Sequence, residues 1–392
     1  MKISLQSQIT LYELSIKKEK KNFIVEEQIS GDFFEMTEIT VEAIRRIEMG
    51  EGLDEIEKML KSKYPEEEVD MVEFVEQLVE LGLVQEIDGV HVQKETQGPK
   101  AGGFLWIPSW VGRLLFNRVM NKVYLLLLLC NILILILNPA FIPHYKDIFL
   151  FDSMMLNMIT YLFLSLVLIL IHEFGHIFAI RSHQLPAQLS IGTRLILIVF
   201  ETDLTQAWKL DPKERNVLYF AGMAFEQVIL FLSFGVMLLF PDTFFAGVLG
   251  IVVLDIFIKT IYQCCFYMKT DVYYVVENTT GYYNLIESGK EYLRSLFNRS
   301  RRPEKSDPQD FGNDFRIVRL YSVFYIIGVL LTLLLAAVYI LPQIYYAYAT
   351  IFSNIQSPGN DAAYWDAVIF LAQTVIMIVL LIYLTRREAL KH

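Results

Sequence analysis

The chain has 392 residues, 54% of them hydrophobic and 20% charged, with a mean hydropathy of +0.40. Soluble domains carry about 45–50% apolar and about 25% charged residues, so this composition excludes intrinsic disorder, a disulfide scaffold and an ordinary soluble enzyme of one or two domains. The net charge of −10 is uneven: residues 1–95 hold 23 Asp/Glu against 11 Lys/Arg, and the rest of the chain sums to +2.

The N-terminus shows no apolar signal-peptide core, only alternating residues and Lys17, Lys18, Lys20 and Lys21, and is expected to stay cytosolic. Residues 1–95 read as a small α+β domain. Strands are predicted at 9–16, 22–29 and 33–36, with a lysine-rich turn between the first two. Thr40 is the expected N-cap of a first helix closing near Gly50. Leu53, Ile56, Met59 and Leu60 mark a second helix, and the apolar series from Val69 to Leu81 a third, stopped by Gly82. Asp88-Gly89 then splits a closing hairpin, 84–87 and 90–92. The order β-β-β-α-α-α-β-β is winged-helix-like.

Gly98-Pro99 and Gly102-Gly103 mark a linker. Residues 104–119 mix Trp106, Trp110, Arg113 and Arg118 with leucines, the composition of a segment lying on a bilayer surface. Six apolar runs follow, at about 121–141, 154–181, 215–240, 244–267, 317–341 and 363–385, each near or above the ~20 residues that span a hydrocarbon core. The segments 113–122, 181–215, 269–319 and 386–391 carry 3, 5, 9 and 3 Lys/Arg, whereas 142–153, 241–243 and 342–362 carry only Lys146. The positive-inside rule therefore puts both termini in the cytosol. The expected fold is a six-span α-helical membrane protein with a small N-terminal α+β domain. Its expected divisions are 1–95, a linker and interfacial segment 96–120, a core 121–290, a cytosolic linker 291–316 and two further spans in 317–392. Residues 186–203, too short and too charged to span, are expected to form a β-hairpin or re-entrant loop. Residues 282–297 suit an amphipathic surface helix, and 299–310 a polar linker.

The second span ends in Ile171-His172-Glu173-Phe174-Gly175-His176, an H-E-x-x-H sequence. Residues four apart share a helix face, so the two imidazoles can converge on one ion. Zinc suits two neutral nitrogens and one oxygen ligand, with a position left for water, and Glu173 can reach that water as general base. Ionisable groups inside an apolar helix are costly, which disfavours a chance occurrence. His91, His144, His183 and His392 all lie away from the span, so a carboxylate is the better third ligand. Asp271, just past the fourth span, emerges at a compatible depth. Its rivals are Glu226 in the third span and Asp255 in the fourth. Lys259 stands four residues beyond Asp255, the spacing of a helix ion pair. Glu226 could line the site or bond across helices, and the small residues Ala221, Gly222 and Ala224 suggest close helix packing. The three cysteines lie in apolar runs without disulfide or zinc-ribbon spacing.

On His172-Glu173-Phe174-Gly175-His176 and Lys269-Thr270-Asp271-Val272-Tyr273-Tyr274, residues 120–290 resemble the site-2 protease family of intramembrane zinc metalloproteases, in its peptide-maturation branch. The resemblance implies one zinc ion held by His172, His176 and Asp271, with Glu173 as base. Val272 stands where the family has glycine, and Ala221-Gly222-Met223 where Ala-Gly-Pro is common. Residues 40–87 are similar to PqqD-like domains that capture the leader of a ribosomally made peptide by strand addition, and the acidic surplus would favour a basic leader. The implied function is cleavage of a leader-bearing or membrane-associated precursor in a bacterial-type cell membrane, with a peptide exporter as a further partner and no nucleic acid. The alternatives are cleavage of a membrane-bound regulatory protein, and a non-catalytic scaffold for peptide export or immunity.

Overall fold

The computed structural model describes residues 3–20, 22–93, 103–194, 197–297, 315–356 and 361–389. The expected linker around Gly98-Pro99, the polar segment 299–310 and His392 lie outside them. The chain divides into two compact units, Met1–Gly102 and Gly103–His392.

In the first unit, β1 (Ile9–Leu11) pairs antiparallel with β5 (Val84–Ile87), which turns into β6 (Val90–His91). A separate antiparallel meander holds β2 (Leu14–Glu19), β3 (Asn22–Glu27) and β4 (Asp32–Met36). The expected single strand 9–16 is thus two strands in two sheets. The reason is local: the Tyr12 N–H donates to Leu83 O on one side, while Glu13 O accepts from the Gln28 N–H on the other. Three helices follow, α1 (Glu38–Glu48), α2 (Leu53–Lys63) and α3 (Met71–Glu80). Helix α1 begins three residues earlier than expected. Thr37 is extended and its carbonyl accepts from the Val41 N–H, while Thr40 lies inside the first turn. Asp70 caps α3 by accepting from the Val72 and Glu73 N–H groups. Asp88 and Gly89 both have positive φ, as a two-residue hairpin turn needs. Val25, Ile44, Ile56, Leu60, Val75 and Leu83 form the centre of the core.

The second unit opens with α4 (Ser109–Leu115), beside which Trp106 and Trp110 are exposed. It continues with α5 (Arg118–Leu137), α6 (Met154–Ser182), the hairpin β7 (Gln188–Arg194) and β8 (Leu197–Asp203), α7 (Pro212–Leu239), α8 (Phe244–Tyr262), α9 (Asp271–Thr280) and α10 (Leu285–Phe297). It ends with α11 (Phe315–Leu335), α12 (Leu341–Asn354) and α13 (Ala362–Ala389). Among the described residues, six helical runs are long and apolar enough to cross a membrane: 118–137, 154–182, 212–239, 244–262, 315–354 and 362–383. Leu125, Leu126, Leu129, Leu133 and Ile136 on α5 are exposed, a face that only an apolar surrounding tolerates.

The fifth run differs from expectation. Instead of ending near 341 before a loop, α11 passes through a π-helical turn, Ala336–Ile340, straight into α12. Pro342 lacks an N–H and its ring crowds the preceding turn; the wider π turn absorbs that defect without breaking the helix. At 40 residues the run is about 60 Å long, roughly twice a hydrocarbon core.

Helices α6 and α7 approach at small residues. A Cβ on Gly175 would lie 2.5 Å from Ala221 O. This close approach lets side chains of α6 meet both the backbone and the carboxylates of α7.

Candidate metal centre

His172 and His176 lie one turn apart on α6, with Nε2 atoms 3.2 Å from each other. Asp271, the first residue of α9, brings Oδ2 to 3.0 Å from His172 Nε2 and 3.5 Å from His176 Nε2. The three residues form the one group among the described residues with metal-ligand spacing.

The outer ring nitrogens both have acceptors beside them. His176 Nδ1 stands 2.8 Å from Leu218 O on α7, a group that only accepts, so Nδ1 carries the proton. His172 Nδ1 stands 3.0 Å from Glu226 Oε1, also on α7. Donating to that carboxylate requires a proton there too. With both imidazoles neutral, the two Nε2 atoms and the carboxylate oxygen present three lone pairs to one point, a set of atoms that could hold a metal cation. Tetrahedral zinc with bonds of about 2.0–2.1 Å separates its ligand atoms by roughly 3.3 Å, which the observed 3.0–3.5 Å triangle fits.

Asp271 is held from below. Its Oδ2 accepts from Gln263 Nε2 at 2.9 Å, and its N–H donates to Gln263 Oε1 at 3.0 Å. The Gln263 carbonyl accepts from Thr270 Oγ1, and Thr270 caps α9. This clamp sets the carboxylate by side-chain bonds and a helix start. Val272 lies within the first turn of α9 at negative φ, so no glycine is needed there.

Glu173 is buried, and its Oε2 accepts from the Thr202 N–H at 2.8 Å and the Thr202 hydroxyl at 2.7 Å. Residues 186–203 contain the hairpin β7–β8, in register from Gln188↔Asp203 to Arg194↔Leu197. The Thr202 amide points out of that hairpin toward α6. The carboxylate next to the candidate ligands is therefore hydrogen-bonded to the hairpin.

Of the two rival acids, Glu226 joins the centre through His172, whereas Asp255 pairs with Lys259 at 2.5 Å and stands outside the triangle. Lys259 Nζ also reaches Ser165 O at 3.5 Å. His91 pairs with Glu86, His144 caps a short helical turn, and His183 ends α6. Sequence reasoning did not find Gln263, Thr202 or the Leu218 carbonyl. Gln263 carried a weak signal, an amide ending an apolar span eight residues before Asp271; a backbone carbonyl carries none.

Compared with protein-family models, curated proteins and solved structures, the chain matches none.

Proposed function

We propose that this protein is an intramembrane zinc metalloendopeptidase of the site-2 protease type that matures a precursor peptide. The observation that carries the reading is the triangle of His172 Nε2, His176 Nε2 and Asp271 Oδ2, whose three potential ligand atoms face one point within 3.5 Å of one another. These residues would hold the ion, and a bound zinc supplies Lewis acidity to a water and a scissile carbonyl. Glu173 takes the proton of the attacking water and returns it to the departing amine as the C–N bond breaks. A helical substrate hides its carbonyls in its own hydrogen bonds, so the peptide must be extended. An edge of the β7–β8 hairpin suits that task by strand addition. Residues 1–95 serve as a winged-helix-like, PqqD-like domain that captures the leader. The Lys/Arg distribution supports a multi-pass arrangement in a bacterial-type membrane with both termini cytosolic.

One observation favours a non-catalytic scaffold: Glu173 Oε2 already accepts two hydrogen bonds from Thr202. One experiment separates the readings. The full chain is purified and its zinc content measured, and it is co-expressed with a short precursor encoded beside its gene, the peptide being read by mass spectrometry. The protease reading expects one zinc per chain, cleavage by wild type, and a Glu173→Gln variant that keeps zinc without cleaving. Peptide processing or export that persists in Glu173→Gln supports the scaffold.

A further inference from the structure

Glu226 stands in the middle of α7 with 1% of its surface exposed, inside a run apolar enough to cross a membrane. An ionisable group there costs several kcal/mol unless something compensates it. Its Oε1 lies 3.0 Å from His172 Nδ1, and its Oε2 has no hydrogen-bond partner among the described residues. Plain helix-to-helix adhesion is served better by an amide or a hydroxyl, which leaves no carboxylate oxygen stranded. One turn earlier, Gly222 leaves room for the His172 ring, since a Cβ there would overlap it. Helix α7 thus supplies a space for this imidazole, an acceptor for its outer nitrogen, and a charge.

We infer that Glu226 is a positioning residue of the metal centre: it fixes His172 in the tautomer whose Nε2 faces His176 and Asp271, and its charge tightens the grip on a divalent cation. The inference rests on reading the triangle as a metal site. With neutral imidazoles, Asp271 and Glu226 place two negative charges at the centre, which a divalent ion neutralises. A carboxylate behind a ligating histidine also makes the imidazole a stronger donor to the metal. His176, with the Leu218 carbonyl behind it, has the weaker version of the same arrangement.

The test uses the full chain purified in detergent, stripped of metal, and titrated with zinc against a chromophoric chelator. The visible spectrum of the cobalt(II)-loaded chain reports ligand geometry as a second readout. Glu226→Gln keeps an oxygen that can accept the His172 Nδ1–H but removes the charge, so a purely adhesive role survives it. The expected result is zinc affinity weakened about 10- to 100-fold with a changed cobalt spectrum, and an equal or larger loss in Glu226→Ala. Glu226→Asp, which keeps the charge at shorter reach, should recover part of the affinity and serves if the Gln variant does not fold. Wild-type affinity in the Gln and Ala variants overturns the role of Glu226 while the metal centre stands. A wild-type chain that takes up neither zinc nor cobalt overturns the reading of the centre itself.

Discussion

Gly222 on α7 faces the His172 imidazole so closely that a Cβ added to it would overlap the ring. The glycine is a condition for the histidine's position. Gly222→Ala should push His172 away from Asp271 and lower zinc affinity by about one to two decades, the range seen when a ligand loses its support. Gly235→Ala, on the same helix with nothing within 4 Å of its Cβ, should bind zinc as wild type does. Equal affinity in both variants would show that the imidazole does not depend on this space.

Gly175 tests helix packing separately from chemistry. Its missing Cβ admits the Ala221 carbonyl. Gly175→Ala should destabilise the chain by about 1–3 kcal/mol through overpacking, visible as a lower melting temperature in metal-free protein. A melting temperature at or above wild type would mean α6 and α7 have slack at this contact.

Asp271 and Asp255 make opposite predictions. Asp271→Ala should lose zinc and peptide cleavage together, because it removes one corner of the triangle. Asp255→Asn breaks the Lys259 pair but touches no corner, so zinc should stay. Zinc kept by the Asp271 variant and lost from the Asp255 variant would reverse the ligand assignment. Gln263→Ala should fall between them, with zinc weakened but not lost, since Asp271 keeps its place at the start of α9.

Glu277 on α9 gives a pH prediction. Burial pushes its carboxyl up, against the pull of the Tyr273 hydroxyl and the Leu285 and Asn284 N–H groups, which it accepts. A folded value above the unfolded one means that its contribution is fully present below the unfolded value of 4.5 and is lost as pH rises through the folded value. Glu277→Gln removes this titration. The melting temperature of wild type relative to Glu277→Gln should therefore fall from pH 4 to pH 7; a constant difference would contradict the shift.

Removing residues 1–95 should spare the metal, whose three proposed ligands all lie in the second compact unit. It should weaken capture of a leader-bearing precursor. Unchanged cleavage of that precursor at low concentration would refute a recognition role for the first unit.

Hydropathy and residue spacing suffice to read six apolar runs, a small N-terminal α+β unit and two histidines on one helix face, and they narrow 186–203 to a hairpin or a re-entrant loop. These features depend on neighbours a few residues apart, whose relative placement is set by helix or strand geometry. Even there the chain's own chemistry left ambiguity. The split at Tyr12-Glu13 appears only when each residue's backbone finds a different sheet, and Pro342 reads as a stop until a π turn absorbs it. Among the three acids, depth already favours Asp271 as the partner of the histidines and i,i+4 spacing already pairs Asp255 with Lys259, but nothing in the sequence places Glu226. Packing brings Asp271 to one ring nitrogen of His172 across 99 residues of chain and Glu226 to the other, and keeps Asp255 on Lys259. Contacts across helices depend on how closely two backbones approach and at what rotation. Those quantities are set by small residues such as Gly175 and Gly222 acting on both helices at once, and no one-dimensional pattern records them.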